Sequence, residues 1–316
     1  MDVLITGGAG FIGYHVAARM LSRADHVGLL DNFNDFYDPE RKRRNVRDLQ
    51  SLGPAELFEV DITDAAALDR AFEKFRPRAV VHLAAWAGVR PSFEKAELYA
   101  QVNVSGTVNV LESARRFGVE RFAFASSSSV YGGNTKLPFS EDDPVNRPIS
   151  PYAATKRAGE LLCHTWSCNY GLPVTCLRFF TVYGPRQRPE MAIHKFARRI
   201  WEGQELPLYG DGGSRRDYTY VDDIVDGVVG ALALDAPYEI LNLGGGHTIT
   251  LLELVSQLER ALGKKAQIRF LPPQAGDMEV TSADVSRARR TIAYAPSTGI
   301  EEGIRRFAAW FVEENS

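Results

Sequence analysis

The segment Thr6-Gly7-Gly8-Ala9-Gly10-Phe11-Ile12-Gly13 constrains this chain most. It follows an apolar run at 2–5 and opens an amphipathic stretch at 11–21. Strand, glycines and helix thus stand in the order that a dinucleotide site needs. Gly7 and Gly8 are expected to turn the chain tightly with positive φ, and Gly10 to let the backbone approach a pyrophosphate. Gly13 is expected to pack helix closely on strand. The first helical turn, at Phe11 and Ile12, offers free N–H groups and the positive end of a dipole to phosphate.

Short apolar runs at 2–5, 27–30, 57–60, 79–83, 121–125 and 174–179 alternate with helical patterns such as 11–21, 65–75 and 93–117. This alternation predicts an α/β fold, a doubly wound parallel (Rossmann) sheet with helices on both faces. Ligands of such sheets lie beyond the carboxyl ends of the strands. Asp31 ends the second strand about twenty residues after the glycines, where a carboxylate accepts both ribose hydroxyls and repels a 2′-phosphate. NAD is therefore expected rather than NADP. Asp61-Ile62 ends the next strand and faces the adenine, or Asp61 caps a helix. Leu83-Ala84-Ala85 ends the fourth strand with small residues against the cofactor. After residue 181, prolines and glycines punctuate shorter elements, and 222–234 and 239–243 read again as helix and strand. The expected division is a cofactor domain at 1–180, with a return segment near 217–245, and a smaller, partly interleaved α/β substrate domain at 181–316.

With 316 residues, 45% of them hydrophobic, the chain can bury a large core. A net charge of −3 favours neither nucleic acid nor an anionic membrane as partner. The run Arg41-Lys42-Arg43-Arg44 reads as a solvated helix face. Cys163, Cys168 and Cys176 have no metal-ligand spacing and read as buried thiols in a reducing, cytoplasmic setting. The six histidines form no ligand motif, so no metal is expected.

The chemistry enters with Tyr152-Ala153-Ala154-Thr155-Lys156. Ser150 suits a helix N-cap and Pro151 the first helical position. Tyr152 then lies in the first turn and Lys156 one turn on, on the same face. A free tyrosine titrates near about 10 and is a poor base at neutral pH. The helix dipole, the Lys156 ammonium and an oxidised nicotinamide all favour the phenolate. Redox chemistry on an alcohol or ketone is expected. Ser126-Ser127-Ser128-Ser129-Val130-Tyr131-Gly132 follows the fifth strand, where one hydroxyl can bond the substrate oxygen.

These motifs, with Arg178-Phe179-Phe180-Thr181-Val182-Tyr183-Gly184-Pro185 and Arg216-Asp217-Tyr218-Thr219-Tyr220-Val221-Asp222-Asp223, resemble the extended short-chain dehydrogenase/reductase superfamily across nearly the whole chain. Among its nucleotide-sugar 4-epimerases, the likeness is greatest to the UDP-glucuronate 4-epimerases. It rests on Asp31-Asn32-Phe33-Asn34-Asp35-Phe36-Tyr37-Asp38, Ala87-Gly88-Val89-Arg90 and Arg186-Gln187-Arg188-Pro189-Glu190-Met191-Ala192.

The resemblance implies that Tyr152 takes the proton of the sugar 4′-hydroxyl, that C4′ gives hydride to NAD, and that hydride returns to the other face. It makes Ser127 the catalytic hydroxyl. Family dehydratases and decarboxylases carry Glu where this chain has Ser129, which disfavours both. Arg188 would pair with a sugar carboxylate, with Ser128, Ser129 and Thr181 donating hydrogen bonds. Arg216 would meet the UDP pyrophosphate, Met191 and Leu208-Tyr209 the uridine, and Asp277 another nucleotide segment. Asn32 belongs to the cofactor stretch and Arg90 to the sugar side. Trp86 and Pro91 depart from the pattern there, so a neutral UDP-glucose or UDP-N-acetylglucosamine substrate remains a second reading. A non-catalytic NAD-binding protein is a third. Residues 93–117 and 152–170 match the helices of a family homodimer.

Overall fold

The computed structural model describes residues 1–272 and 279–315. Seven strands form one parallel sheet: β1 (Asp2–Thr6), β2 (His26–Asp31), β3 (Ala55–Glu59), β4 (Ala79–His82), β5 (Arg121–Ser127), β6 (Val174–Phe179) and, late in the chain, β11 (Tyr238–Leu243). Their order is β11-β6-β5-β4-β1-β2-β3. The order reverses between β1 and β4, which opens a crevice at their carboxyl ends. Alternate residues of each strand feed two cores. Val3, Ile5, Leu29 and Val81 point to one face. Leu4, Leu30, Val80, Phe122 and Phe124 point to the other.

The connecting helices are α1 (Phe11–Ser22), α2 (Pro39–Leu52), α3 (Ala65–Phe75), α4 (Val89–Glu94), α5 (Ala96–Ala100), α6 (Thr107–Arg116) and α7 (Pro151–Tyr170). The expected helix at 93–117 is therefore broken. Lys95 leaves helical geometry at φ −125°, and a π-helical turn, Gln101–Gly106, joins α5 to α6. The extra residue in that turn buries Asn103, whose amide bonds the Trp86 backbone and the Thr155 hydroxyl.

Beyond β6 come β7 (Thr181–Tyr183), α8 (Ala192–Trp201), β8 (Glu205–Tyr209), β9 (Arg215–Arg216), β10 (Tyr218–Tyr220) and α9 (Val221–Ala233). After β11 follow β12 (Ile249–Thr250), α10 (Leu251–Leu262), β13 (Gln267–Leu271), α11 (Ser286–Ile292) and α12 (Ile300–Asn315). The short strands pair as β10-β7, β12-β9 and β13-β8 beside the main sheet. The chain returns to that sheet through β11, which pairs with β6.

Candidate active site

A cavity of about 340 Å³ runs along the carboxyl ends of β1, β2, β4 and β5. Gly7, Gly10, Phe11, Ile12 and Gly13 line its start. Gly7 adopts φ +69°, and a side chain there would press on the Ala84 backbone. Gly8 does not share the expected positive φ. It is glycine for another reason: a Cβ would come within 2.8 Å of the Ile5 carbonyl. Any Cβ on Gly13 would collide with the Gly7 carbonyl oxygen. Helix α1 begins against the cavity with no side-chain cap on its first turn. Free N–H groups and a dipole end thus face a space bare of side chains, which suits a pyrophosphate.

Asp31 lies next, with Asn32, Asp61 and Ile62. Asp61 does not cap a helix, since Asp64 caps α3. Its carboxylate instead accepts from Thr63 and from the Asn32 amide at 2.7 Å. Lys42 also belongs to this site, against the expectation of a solvated basic face. It is 4% exposed, its Nζ is 3.7 Å from Asp31, and it donates to Asn34. Burial pushes the Asp31 carboxyl up, while Lys42 and the Phe33 N–H pull it down. The first turn of α2 carries Lys42 back over the end of β2, a contact that no local pattern announces.

Leu83, Ala84 and Ala85 form the next part of the wall, followed by Trp86. The Trp86 ring meets Phe36 edge-on at 5.2 Å, and Phe36 lies under the Arg188 guanidinium at 5.5 Å. The serines begin inside β5, not after it: Ser126 and Ser127 are its last residues. Ser128 and Ser129 follow in a 3₁₀ turn whose cap is the Ser127 hydroxyl, accepting from Ser129 N–H. Opposite stands α7, with Ser150 as N-cap and Pro151 first, as expected.

Tyr152 is half-buried and lines the cavity. Burial raises its pKa, and a hydrogen bond with Ser127 and the charge of Arg188 lower it. Lys156 does not exert the expected pull on the phenol. Its Nζ turns to strand β5, donating to the Ala125 carbonyl at 2.8 Å, and burial brings its pKa down to about 8.

Thr181, Arg188 and Met191 close the far end. Arg188 is held by Glu190 at 3.1 Å. Four expected contacts do not line this cavity. Arg90 lies over the Tyr209 ring at 5.5 Å, Leu208 is buried in the core, and Arg216 donates to the carbonyls of Arg215 and Glu279. Asp277 lies outside the described residues. Cys163 and Cys176 are buried, but Cys168 is exposed, because α7 turns that face outward. Among the described residues no cluster of His, Cys, Asp and Glu is placed to hold a metal ion, and no helix is long and apolar enough to cross a membrane.

Comparison with known proteins agrees with this geometry. The model of the "NAD dependent epimerase/dehydratase family" matches residues 3–244. A UDP-glucuronate 4-epimerase of Thermodesulfobacterium geofontis is 42% identical over 98% of this chain and 96% of its own length. The crystal structure of a UDP-glucuronic acid 4-epimerase from Bacillus cereus, in complex with UDP-glucuronic acid and NAD, superposes with a TM-score of 0.93. It is 35% identical and the match covers 99% of this chain and 100% of that one. A Thermus thermophilus UDP-glucose 4-epimerase in complex with NAD superposes at 0.89, with 36% identity and 98% of each chain covered.

Proposed function

The chain belongs to the NAD-dependent epimerase/dehydratase family, and from that premise we propose that it interconverts UDP-glucuronate and UDP-galacturonate by inverting C4 of the sugar. One observation carries the choice of sugar: the Arg188 guanidinium lines the same cavity as Tyr152, Ser128, Ser129 and Thr181. A cation sharing one cavity with several hydroxyls suits a carboxylate.

Residues 1–180, with the return segment 217–245, serve as the cofactor half, and 181–316 as the sugar-nucleotide half. NAD fits the side-chain-free space at Gly7, Gly10 and Gly13, with its ribose at Asp31, Asn32 and Lys42 and its adenine toward Asp61 and Ile62. When bound, it supplies reversible hydride exchange at C4 of the sugar. Tyr152 removes the proton of the C4 hydroxyl and returns it to the oxygen after the 4-keto sugar has turned over in the site. Ser127 holds that oxygen, and Lys156, turned to the Ala125 carbonyl, keeps its ammonium on the wall of the same cavity. Arg188 holds the carboxylate aside. Ser129 offers no carboxylic acid to assist loss of CO2, so a keto acid survives there. Met191 and the Leu208-Tyr209 segment remain the proposed uridine contacts, Arg216 that of the pyrophosphate and Asp277 a further nucleotide contact, with Arg90 on the sugar side.

The three cysteines are free thiols, which suits the cytoplasm. Phe93 on α4 and Leu161 on α7 are 59% and 53% exposed, which supports a second copy of this chain as partner. The first experiment incubates the protein with UDP-glucuronate and no reductant, and resolves the products by NMR. A mixture of UDP-glucuronate and UDP-galacturonate is expected. UDP-pentose would overturn epimerisation in favour of decarboxylation. Turnover of UDP-glucose alone would overturn the choice of acid.

A further inference from the structure

Strand β5 and helix α7 meet at three consecutive strand residues. The Ala125 carbonyl accepts from Lys156 Nζ at 2.8 Å. Ser127 lines the same cavity as Tyr152, and its hydroxyl favours the phenolate. Between them, Ser126 Oγ donates to Glu160 Oε1 at 2.6 Å. Tyr152, Lys156 and Glu160 are spaced by four, so they share one helix face. Two of these ties hold residues of the proposed reaction. The third holds a carboxylate to which that reaction gives no task.

Glu160 is fully buried, and so is its principal partner. Arg178 Nε donates to Oε1 at 2.8 Å and Nη2 to Oε2 at 3.0 Å, a forked pair. Arg157 adds a third donor at 2.9 Å. Burial pushes the Glu160 carboxyl up, yet Arg178, Ser126 and Arg157 together hold it below the usual carboxylate range. Arg178 stands directly opposite Ser126 in the β5–β6 register. Its remaining nitrogen donates to the Tyr131 hydroxyl, which donates to Asn242 of β11. Strands β5, β6 and β11 are thus fastened to α7 through one carboxylate.

Apolar side chains of similar volume would fill this space with less desolvation cost, so the pair is a poor device for stability alone. It is a good device for fixing register, because the fork accepts only one alignment. The neighbouring Gly159 sharpens the point. Any Cβ there would collide with the Phe124 ring, so helix and strand are already at closest approach. A slip along the helix cannot be absorbed by repacking.

We propose that Glu160, oriented by Arg178, is a positioning residue: through Ser126 it sets the register of α7 on β5, and with it the placement of Tyr152 against Ser127. The proposal rests on the epimerase reading for its kinetic consequence. It is tested with Ser126→Ala, which removes one hydroxyl and leaves the Glu160–Arg178 pair intact.

Turnover at saturating sugar nucleotide is expected to fall about tenfold, the scale of a small misplacement of reacting groups. KM and melting temperature should stay nearly constant. The Tyr152 titration is read as the tyrosinate absorbance difference between Ser126→Ala proteins with and without Tyr152→Phe. It should move to higher pH than in the unmodified protein, because the phenolate loses part of its hydrogen bond. Adding Ser126→Ala to Glu160→Gln should cost nothing further. Unchanged turnover with an unchanged titration overturns the proposal. So does full additivity of the two substitutions, and so does loss of activity that merely follows loss of melting temperature. If the unmodified protein turns over no sugar nucleotide, the epimerase reading fails, and the tyrosinate titration alone decides the proposal.

Discussion

Arg188 is given two tasks by its position. It lines the end of the cavity proposed for the sugar, and its charge helps to hold down the phenol of Tyr152, whose burial pushes it up. Arg188→Ala should therefore act twice. Turnover of UDP-glucuronate should fall roughly ten- to a hundredfold more than turnover of UDP-glucose, the worth of a charge-assisted hydrogen bond. With the neutral sugar, the acidic limb of the pH profile should move upward, since losing a nearby cation raises the pKa of the base. Equal losses with both sugars would remove Arg188 from acid recognition. Two histidines make a separate prediction. Burial lowers His82 and His194 from 6.5 to about 3. Between those values the unfolded chain binds more protons than the folded one, so stability declines as the pH falls from 6.5 toward 3. The slope is about 1.4 kcal/mol per pH unit for each ring. His194 sits among Phe307, Trp310 and Phe311, and His194→Leu should flatten that decline in thermal unfolding across pH. At this scale Tyr152, Lys156, Ser127 and Asp31 stood out because the chemistry admits few residue types there, and the structure brings all four to one cavity. Lys42 and Glu160 did not, because their partners are set by how helices fold back on strands.

The strand–glycine–helix element joining β1 to α1 tolerates little change. Gly13 lies in the first turn of α1 and packs against the Gly7 carbonyl, so even a methyl group must push helix and loop apart. Gly13→Ala should cost about 1–3 kcal/mol, the scale of an overpacked contact, and should loosen the cofactor because the same loop carries the free N–H groups. Thermal unfolding with and without added NAD checks both effects. A variant that keeps its melting temperature and its NAD-dependent shift would deny the loop this role. Apolar strands and amphipathic helices were legible where their period was regular, as in β6 and α3. The breaks were not. The kink at Lys95 and the π turn at Gln101–Gly106 arise because Asn103 must reach Trp86 and Thr155, a tertiary demand that periodicity does not carry. The two- to five-residue strands of the small sheets are equally faint, being too short to show alternation.

At the scale of the whole molecule, the topology explains why the cofactor and sugar sides meet where they do. β11 returns to the edge of the main sheet after the excursion through β7–β10, so the elements carrying Thr181 and Arg188 are anchored at both ends to the sheet against which α7 holds Tyr152. That return was legible in the apolar run at 239–243, though its partner strand was not, since pairing order leaves no mark on a single strand. The same architecture leaves α4 and α7 side by side on the outside, with Phe93, Leu161 and Tyr170 exposed by more than half. Three large apolar side chains on adjacent helices match a surface that a second copy would cover. The reaction places no task on Leu161, so Leu161→Glu probes the assembly without touching the cavity. The chain has a mass of 35.1 kDa. Sedimentation should find twice that mass for the unmodified protein and the single-chain mass for Leu161→Glu, because a carboxylate buried between helices without a partner is strongly unfavourable. A substituted protein that still sediments as a dimer would move the interface elsewhere. An unmodified protein that sediments as a monomer would remove the dimer altogether.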